Sequence, residues 1–171
     1  MFEPTKLDLA KAVSVLETKV LALGVSEVRV SDDVRGLELA AHQVGKTNAV
    51  GEHFRRELNT LPPGRVMWVG LYDERNMCIG TVAAKMDDFR GWSLQQHIVD
   101  YFERVFCSED GNSVVVSQGT ASYAGGITGR SVYVGEGFVH KDWRSKNLLG
   151  LSQRMLILMA HSQWQPDVTY G

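Results

Sequence analysis

Residues 131–162 read SVYVGEGFVHKDWRSKNLLGLSQRMLILMAHS: a strand-like run, a short basic loop, then an almost wholly apolar helix. Arg144 and Lys146 stand at the head of that helix, with Ser145 between them and Gly150 just beyond. The first N–H groups of a helix have no intrahelical partners and carry partial positive charge, so residues 144–150 suit an anion, a phosphate above all. Other strings fail on context. Gly45-Lys46-Thr47 ends like a phosphate loop, but Ala40 occupies the first glycine's place and the residues before it look helical. Gly135-Glu136-Gly137 lacks the third glycine of a dinucleotide fingerprint. His42, His53, His97, His140 and His161 show no metal-ligand spacing, so no metal is expected, and no Ser/His/Asp triad can be assigned.

Composition bounds the carrier of these residues. With 171 residues, 44% hydrophobic and 22% charged, one globular domain spanning 1–171 is expected. Eighteen Lys+Arg against 20 Asp+Glu give a net charge of -2, which supplies no broad basic field for nucleic acid or an anionic membrane. Any anion must be bound locally. Cys78 and Cys107 lie in no CxxC or Cys/His cluster and fit a reducing compartment. The amino terminus MFEPTKLDLAK is not a secretory signal, and no run of about 18 apolar residues follows, so a cytoplasmic location without membrane attachment is expected.

The elements that must position the loop follow from periodicity. Leu9, Val13, Leu16, Val20 and Leu23 predict a helix over 5–23, stopped by Gly24. A short strand at 28–30 precedes a helix capped by Ser31 and carrying Val34, Leu37, Ala41 and Val44. Phe54, Leu58 and Leu61 suggest a third, shorter helix, ended by Pro62, Pro63 and Gly64. Residues 66–72 and 78–85 read as an antiparallel hairpin. Helical spacing returns over 92–107, followed by a strand at 114–116, a Gly-rich loop at 123–129 and a strand through Val134. A central helix over about 148–162 and a strand at 167–170 complete the chain.

This order, with GFVHKDWRSKNLLG at its centre, resembles the GNAT acyltransferase superfamily. The resemblance implies an α/β (α+β) fold: a mixed, mostly antiparallel central sheet flanked by helices, with an N-terminal helix at 1–25 and an insertion at 88–130 between the third and fourth strands. It implies acetyl-CoA, or a related acyl-CoA, as cofactor. The family's loop reads roughly Arg/Gln-x-x-Gly-x-Gly/Ala; Arg144 matches its first position, while Asn147 and Leu149 stand where small residues are the rule. Asn tolerates left-handed backbone, and Gly150 would compensate for Leu149 if the loop shifts by one residue. The family also continues with a further helix and strands, so a native tail beyond Gly171 is expected, completion by another subunit being the alternative.

Transfer of an acyl group from a thioester to an amine needs a held carrier, a route for the amine proton and a polarised carbonyl. The resemblance implies that backbone groups near Phe138 and Val139 hold the pantetheine arm. Arg144, Ser145, Lys146, Asn147, Leu148, Leu149 and Gly150 would then meet the phosphates. Glu136, in GEGF on a central strand, is the candidate general base, the alternative being a solvent-facing or Arg-paired carboxylate. His140 is expected in a loop, Trp143 under it, and Tyr170 either beside the acceptor or in packing. The expected activity is therefore N-acetylation of a small-molecule or protein amine, with self-association left open. A GNAT-shaped binding or assembly module without catalysis is the alternative, and an unrelated α/β fold with another phosphorylated ligand is the third.

Overall fold

The computed structural model describes residues 4–47, 50–105, 112, 115 and 122–171. The element order begins with α1 (Lys6–Ala22), β1 (Glu27–Ser31) and α2 (Val34–Gln43), then β2 (Val66–Tyr72) and β3 (Cys78–Asp88). It continues with α3 (Leu94–Val105), β4 (Arg130–Val139), α4 (Leu148–Trp164) and β5 (Val168–Tyr170). The five strands form one sheet in the order β1-β2-β3-β4-β5, antiparallel throughout except for the parallel β4–β5 pair. This is a mixed α/β fold with a mostly antiparallel sheet flanked by helices. The expected strand at 114–116 lies outside the described residues, apart from Val115, which belongs to no element.

Local chemistry sets the element ends. Thr5 and Asp8 form a reciprocal capping box at the start of α1, and Gly24, at φ +95°, turns the chain away after it. Asp33, not Ser31, caps α2: its carboxylate accepts from Arg35 N–H and Gly36 N–H, whereas Ser31 Oγ ends β1 and accepts from Asp33 N–H. The helix expected through Leu58 and Leu61 is replaced by a single 3-10 turn, Glu52–Phe54. Arg55 is extended there and breaks the run; a separate turn follows in which Arg55 O accepts from Leu58 N–H and Asn59 N–H, and Asn59 Nδ2 ties it back to the carbonyls of Glu52 and Arg55.

All seven residues of β2 are buried, because the sheet is covered on both faces. On one face α1 and α4 pack over Met67, Val69, Leu71, Val82, Ala84, Val132 and Val139. On the other, α2 covers Val66, Trp68, Tyr72 and Ala83, and a separate cluster of Phe89, Leu94 and Ala124 forms beneath α3. In α4, Leu148, Met155, Leu156, Ala160 and Trp164 are buried between α1 and the sheet, each large apolar side chain contributing about 1.5–3 kcal/mol.

The strand feeding the loop is irregular. Thr81 pairs with Phe138 but Ala83 with Gly135, so Glu136 and Gly137 together oppose Val82. That bulge sits at Glu136, whose φ is +53°. β4 spans Arg130–Val139, and β5 pairs with it only at Ser131–Tyr133.

Candidate functional site at the head of α4 and in a buried polar seam

After β4 the loop forms a 3-10 segment, Lys141–Lys146, started by His140, whose Nδ1 accepts from Asp142 N–H. Asn147 then adopts left-handed backbone (φ 54°, ψ 26°) and leads into α4 without giving its first turn a side-chain cap. Asparagine tolerates this backbone geometry better than most residues. The N-terminal donors of α4 are therefore not consumed by a capping side chain.

β4 offers backbone groups beside those donors. His140 N–H donates to Ile79 O at 2.9 Å, so the alternation of an antiparallel ladder turns the peptide groups of Val139, opposite Gly80, away from β3. Val139 O accepts from Arg144 Nε at 3.1 Å, and the Arg144 guanidinium lies 5.4 Å from the centre of the Phe138 ring. Gly137, Phe138, Val139, Arg144, Asn147 and Leu149 line one cleft of about 400 Å³. Its size lies within the range of small-ligand sites.

Five expected cofactor residues, Phe138, Val139, Arg144, Asn147 and Leu149, thus meet in that cleft, and four do not line it. Lys146 reaches back to donate to Leu23 O at 2.9 Å, capping the carboxyl end of α1, and lies 4.1 Å over the Trp143 ring. Leu148 is buried in the core and Ser145 is exposed. A side chain at Gly150 would come within 2.8 Å of Asn147 Oδ1, so its bareness makes room for Asn147. Leu149 is accommodated by another glycine: a Cβ at Gly137 would lie 2.9 Å from Leu149 Cδ1.

Glu136 lies on the opposite face of β4. Its carboxylate, only 6% exposed, accepts from Lys46 Nζ and from Gly51 N–H, both at 2.5 Å. Each oxygen already has a protein donor.

A second group of side chains occupies the seam between the α2 cluster and the α3 cluster. Two-residue alternation puts Lys85 and Asp87 of β3 on that face, opposite Tyr133 and Ser131 of β4, and Tyr170 of β5 lies opposite Tyr133. His53 stacks on Tyr101 at 4.4 Å and on Tyr133 at 3.9 Å, and the Tyr133 and Tyr170 rings are 5.4 Å apart. His97 and Tyr101, one turn apart on α3, complete the wall at 5.7 Å from each other.

Burial, then the Lys85 charge and His97, push the His53 pKa down to about 3, so this imidazole is neutral at ordinary pH. Burial, then Asp87, Tyr133 and Tyr101, holds the Tyr170 phenol well above its usual range, so it keeps its proton. Burial first, then Glu136 and Glu52, raises Tyr133. His53 Nδ1, Asp87 Oδ2, Ser131 Oγ and Tyr170 Oη are buried with no hydrogen-bond partner. Lys85 Nζ lies 3.4 Å from Asp87 Oδ2, an ion pair without hydrogen-bond geometry. Of these residues only Tyr170 stood out in the sequence. The available signal was a polar residue at the inward position of an apolar strand, as in Lys85-Met86-Asp87 and Ser131-Val132-Tyr133.

Among the described residues no cluster of His, Cys, Asp or Glu could hold a metal ion, and no helix is long and apolar enough to cross a membrane. Compared with known families, curated proteins and solved structures, the chain matches none.

Proposed function

We propose that the chain is a GNAT-like N-acyltransferase that takes an acetyl or related acyl group from acyl-CoA and delivers it to a primary amine by direct attack on the thioester. The observation that supports this reading is the cleft beside α4. There the outward Val139 peptide, the Arg144 guanidinium and the uncapped first turn of α4 converge. Outward strand amides suit a pantetheine amide arm, and a helix N-terminus flanked by an arginine suits a diphosphate. Arg144 Nε is used by Val139 O, while its two Nη groups have no partner among the described residues. Calorimetry with acetyl-CoA and CoA tests the reading: saturable heat is expected, and none at millimolar ligand removes it.

A GNAT-shaped binding module without catalysis is favoured by a different observation. The candidate base Glu136 has both oxygens engaged by the protein, and Lys146 is committed to α1. Acyl transfer or acyl-CoA hydrolysis measured across an amine panel separates the two, since robust turnover eliminates the module. A chain that binds CoA, associates stably with itself or a partner and turns nothing over eliminates the enzyme.

A further inference from the structure

We propose that the buried seam between β3, β4, β5, α3 and the Glu52–Phe54 turn is a binding pocket for a small zwitterionic amine of the amino-acid class. Its carboxylate lies on Lys85 Nζ with the Ser131 and Tyr170 hydroxyls, and its ammonium on Asp87 Oδ2.

Four buried polar atoms without partners are the starting point: His53 Nδ1, Asp87 Oδ2, Ser131 Oγ and Tyr170 Oη. Ser131 is 0% and Lys85 4% exposed. Leaving such atoms unpaired is costly, and sheet pairing gathers Asp87, Ser131 and Tyr170 while His53 joins them through its contact with Tyr133. Asp87 faces Ser131 across the ladder, Lys85 faces Tyr133, and Tyr133 faces Tyr170. An apolar occupant would leave every one of these groups unpaired.

Charge narrows the occupant. The seam holds one ammonium and one carboxylate, so a ligand of net charge would leave a surplus in a poorly solvated place, whereas a zwitterion matches each sign with its opposite. At 3.4 Å the Lys85–Asp87 pair is longer than the 2.7–2.9 Å or so of a charge-assisted hydrogen bond, and Oδ2 accepts none, so donors and lone pairs remain for a guest. Tyr170 and Ser131 add hydroxyl donors for the carboxylate. His53, Tyr101 and Tyr133 pack on one another and wall the seam, so the ammonium is held by Asp87. Naming this amine as the acyl acceptor rests on the acyltransferase reading; its binding does not.

The test is calorimetry on the full chain without CoA. The probes are the common α-amino acids, β-alanine and γ-aminobutyrate, each beside its amide and its decarboxylated amine. At least one zwitterion binds, its amide or amine binds about tenfold or more weakly, Lys85→Met abolishes the heat, and Ser131→Ala weakens it several-fold. Ser131→Ala removes a single oxygen, so it remains informative if Lys85→Met fails to fold. Arg144→Ala leaves amino-acid affinity unchanged. No binding by the parent chain, meaning that the seam holds water only, overturns the proposal. So does binding that neither seam substitution alters. CoA titrated into the same samples keeps the two readings apart: amino-acid binding without CoA binding upholds the pocket and removes the acyl donor, and the reverse overturns the pocket alone.

Discussion

Replacing Lys46 by Met strands the Glu136 carboxylate, and its cost can be worked from the contacts. Glu136 is 6% exposed and takes one donor on each oxygen, so loss of Lys46 leaves a buried anion with Gly51 N–H as its remaining partner. A broken buried pair costs about 3–5 kcal/mol; because Lys46 is 22% exposed, solvent reaches the pair from its side and about 2–3 kcal/mol is expected. Glu136→Gln keeps one good acceptor and no charge, for about 1.5–3 kcal/mol. The double variant removes both charges, so the two losses overlap by about 1.5 kcal/mol or more. Urea unfolding at neutral pH reads this: at about 2 kcal/mol per molar, Lys46→Met lowers the midpoint by about 1–1.5 M. Single changes within about 0.5 kcal/mol of the parent, adding without coupling, refute the buried pair. In a transfer assay on folded protein, a general base would show as a kcat loss of about a hundredfold or more in Glu136→Gln. An unchanged kcat leaves the residue a purely structural role.

His53→Phe keeps a ring against Tyr101 but removes the titration. The His53 pKa is depressed to about 3 when folded, so the unfolded chain binds a proton there that the native chain refuses. Its contribution is complete above about pH 6.5 and is lost as pH falls toward 3. The urea midpoint of the parent should drop more steeply than that of the variant between pH 6.5 and 4; parallel curves contradict the burial. Arg144→Ala should weaken CoA about tenfold to a hundredfold by calorimetry, and equal affinities contradict its place at the cleft. Asn147 holds φ 54°, so Asn147→Gly should raise the melting temperature by up to about 3 °C and Asn147→Val should lower it by at least that much. The reverse order would show that the left-handed turn is not kept.

Much of the fold is written in local pattern. The run 66–72 is apolar at nearly every position between Pro62-Pro63-Gly64 and the polar turn Asp73-Glu74-Arg75-Asn76, and β2 matches it because both sheet faces are covered. Thr5, the apolar spacing and Gly24 locate α1 for the same reason. Residues 52–61 defeat periodicity because the chain is extended at Arg55 and splits into two short turns pinned by the Asn59 side chain, which no apolar spacing encodes. The strand that carries Glu136 was legible, but the bulge at Glu136 and Gly137 was not, because it exists only in the pairing with β3. Of the candidate site, the head of α4 was legible because strand, loop and helix adjoin in sequence. The seam was not, since His53, Lys85, Asp87, Ser131 and Tyr133 meet only after β3 and β4 have paired and the Glu52–Phe54 turn has packed on them.

The bulge also links the two sites physically. Val132 and Val134 face α4, and Tyr133 faces α2; strict alternation would then place Val139 with Tyr133 and Phe138 with α4. The opposite is observed: Val139 packs in the α4 core and Phe138 on the α2 face, so one extra residue has inverted the parity. That inversion lays Gly137 under Leu149 and turns Val139 toward α4. Its cost is a glutamate in left-handed backbone, about 1 kcal/mol or more, which Lys46, Gly51 N–H and the Thr81 hydroxyl on Glu136 O offset. The Glu136 carboxylate thus fixes, from the α2 face, the strand geometry on which the α4 cleft depends.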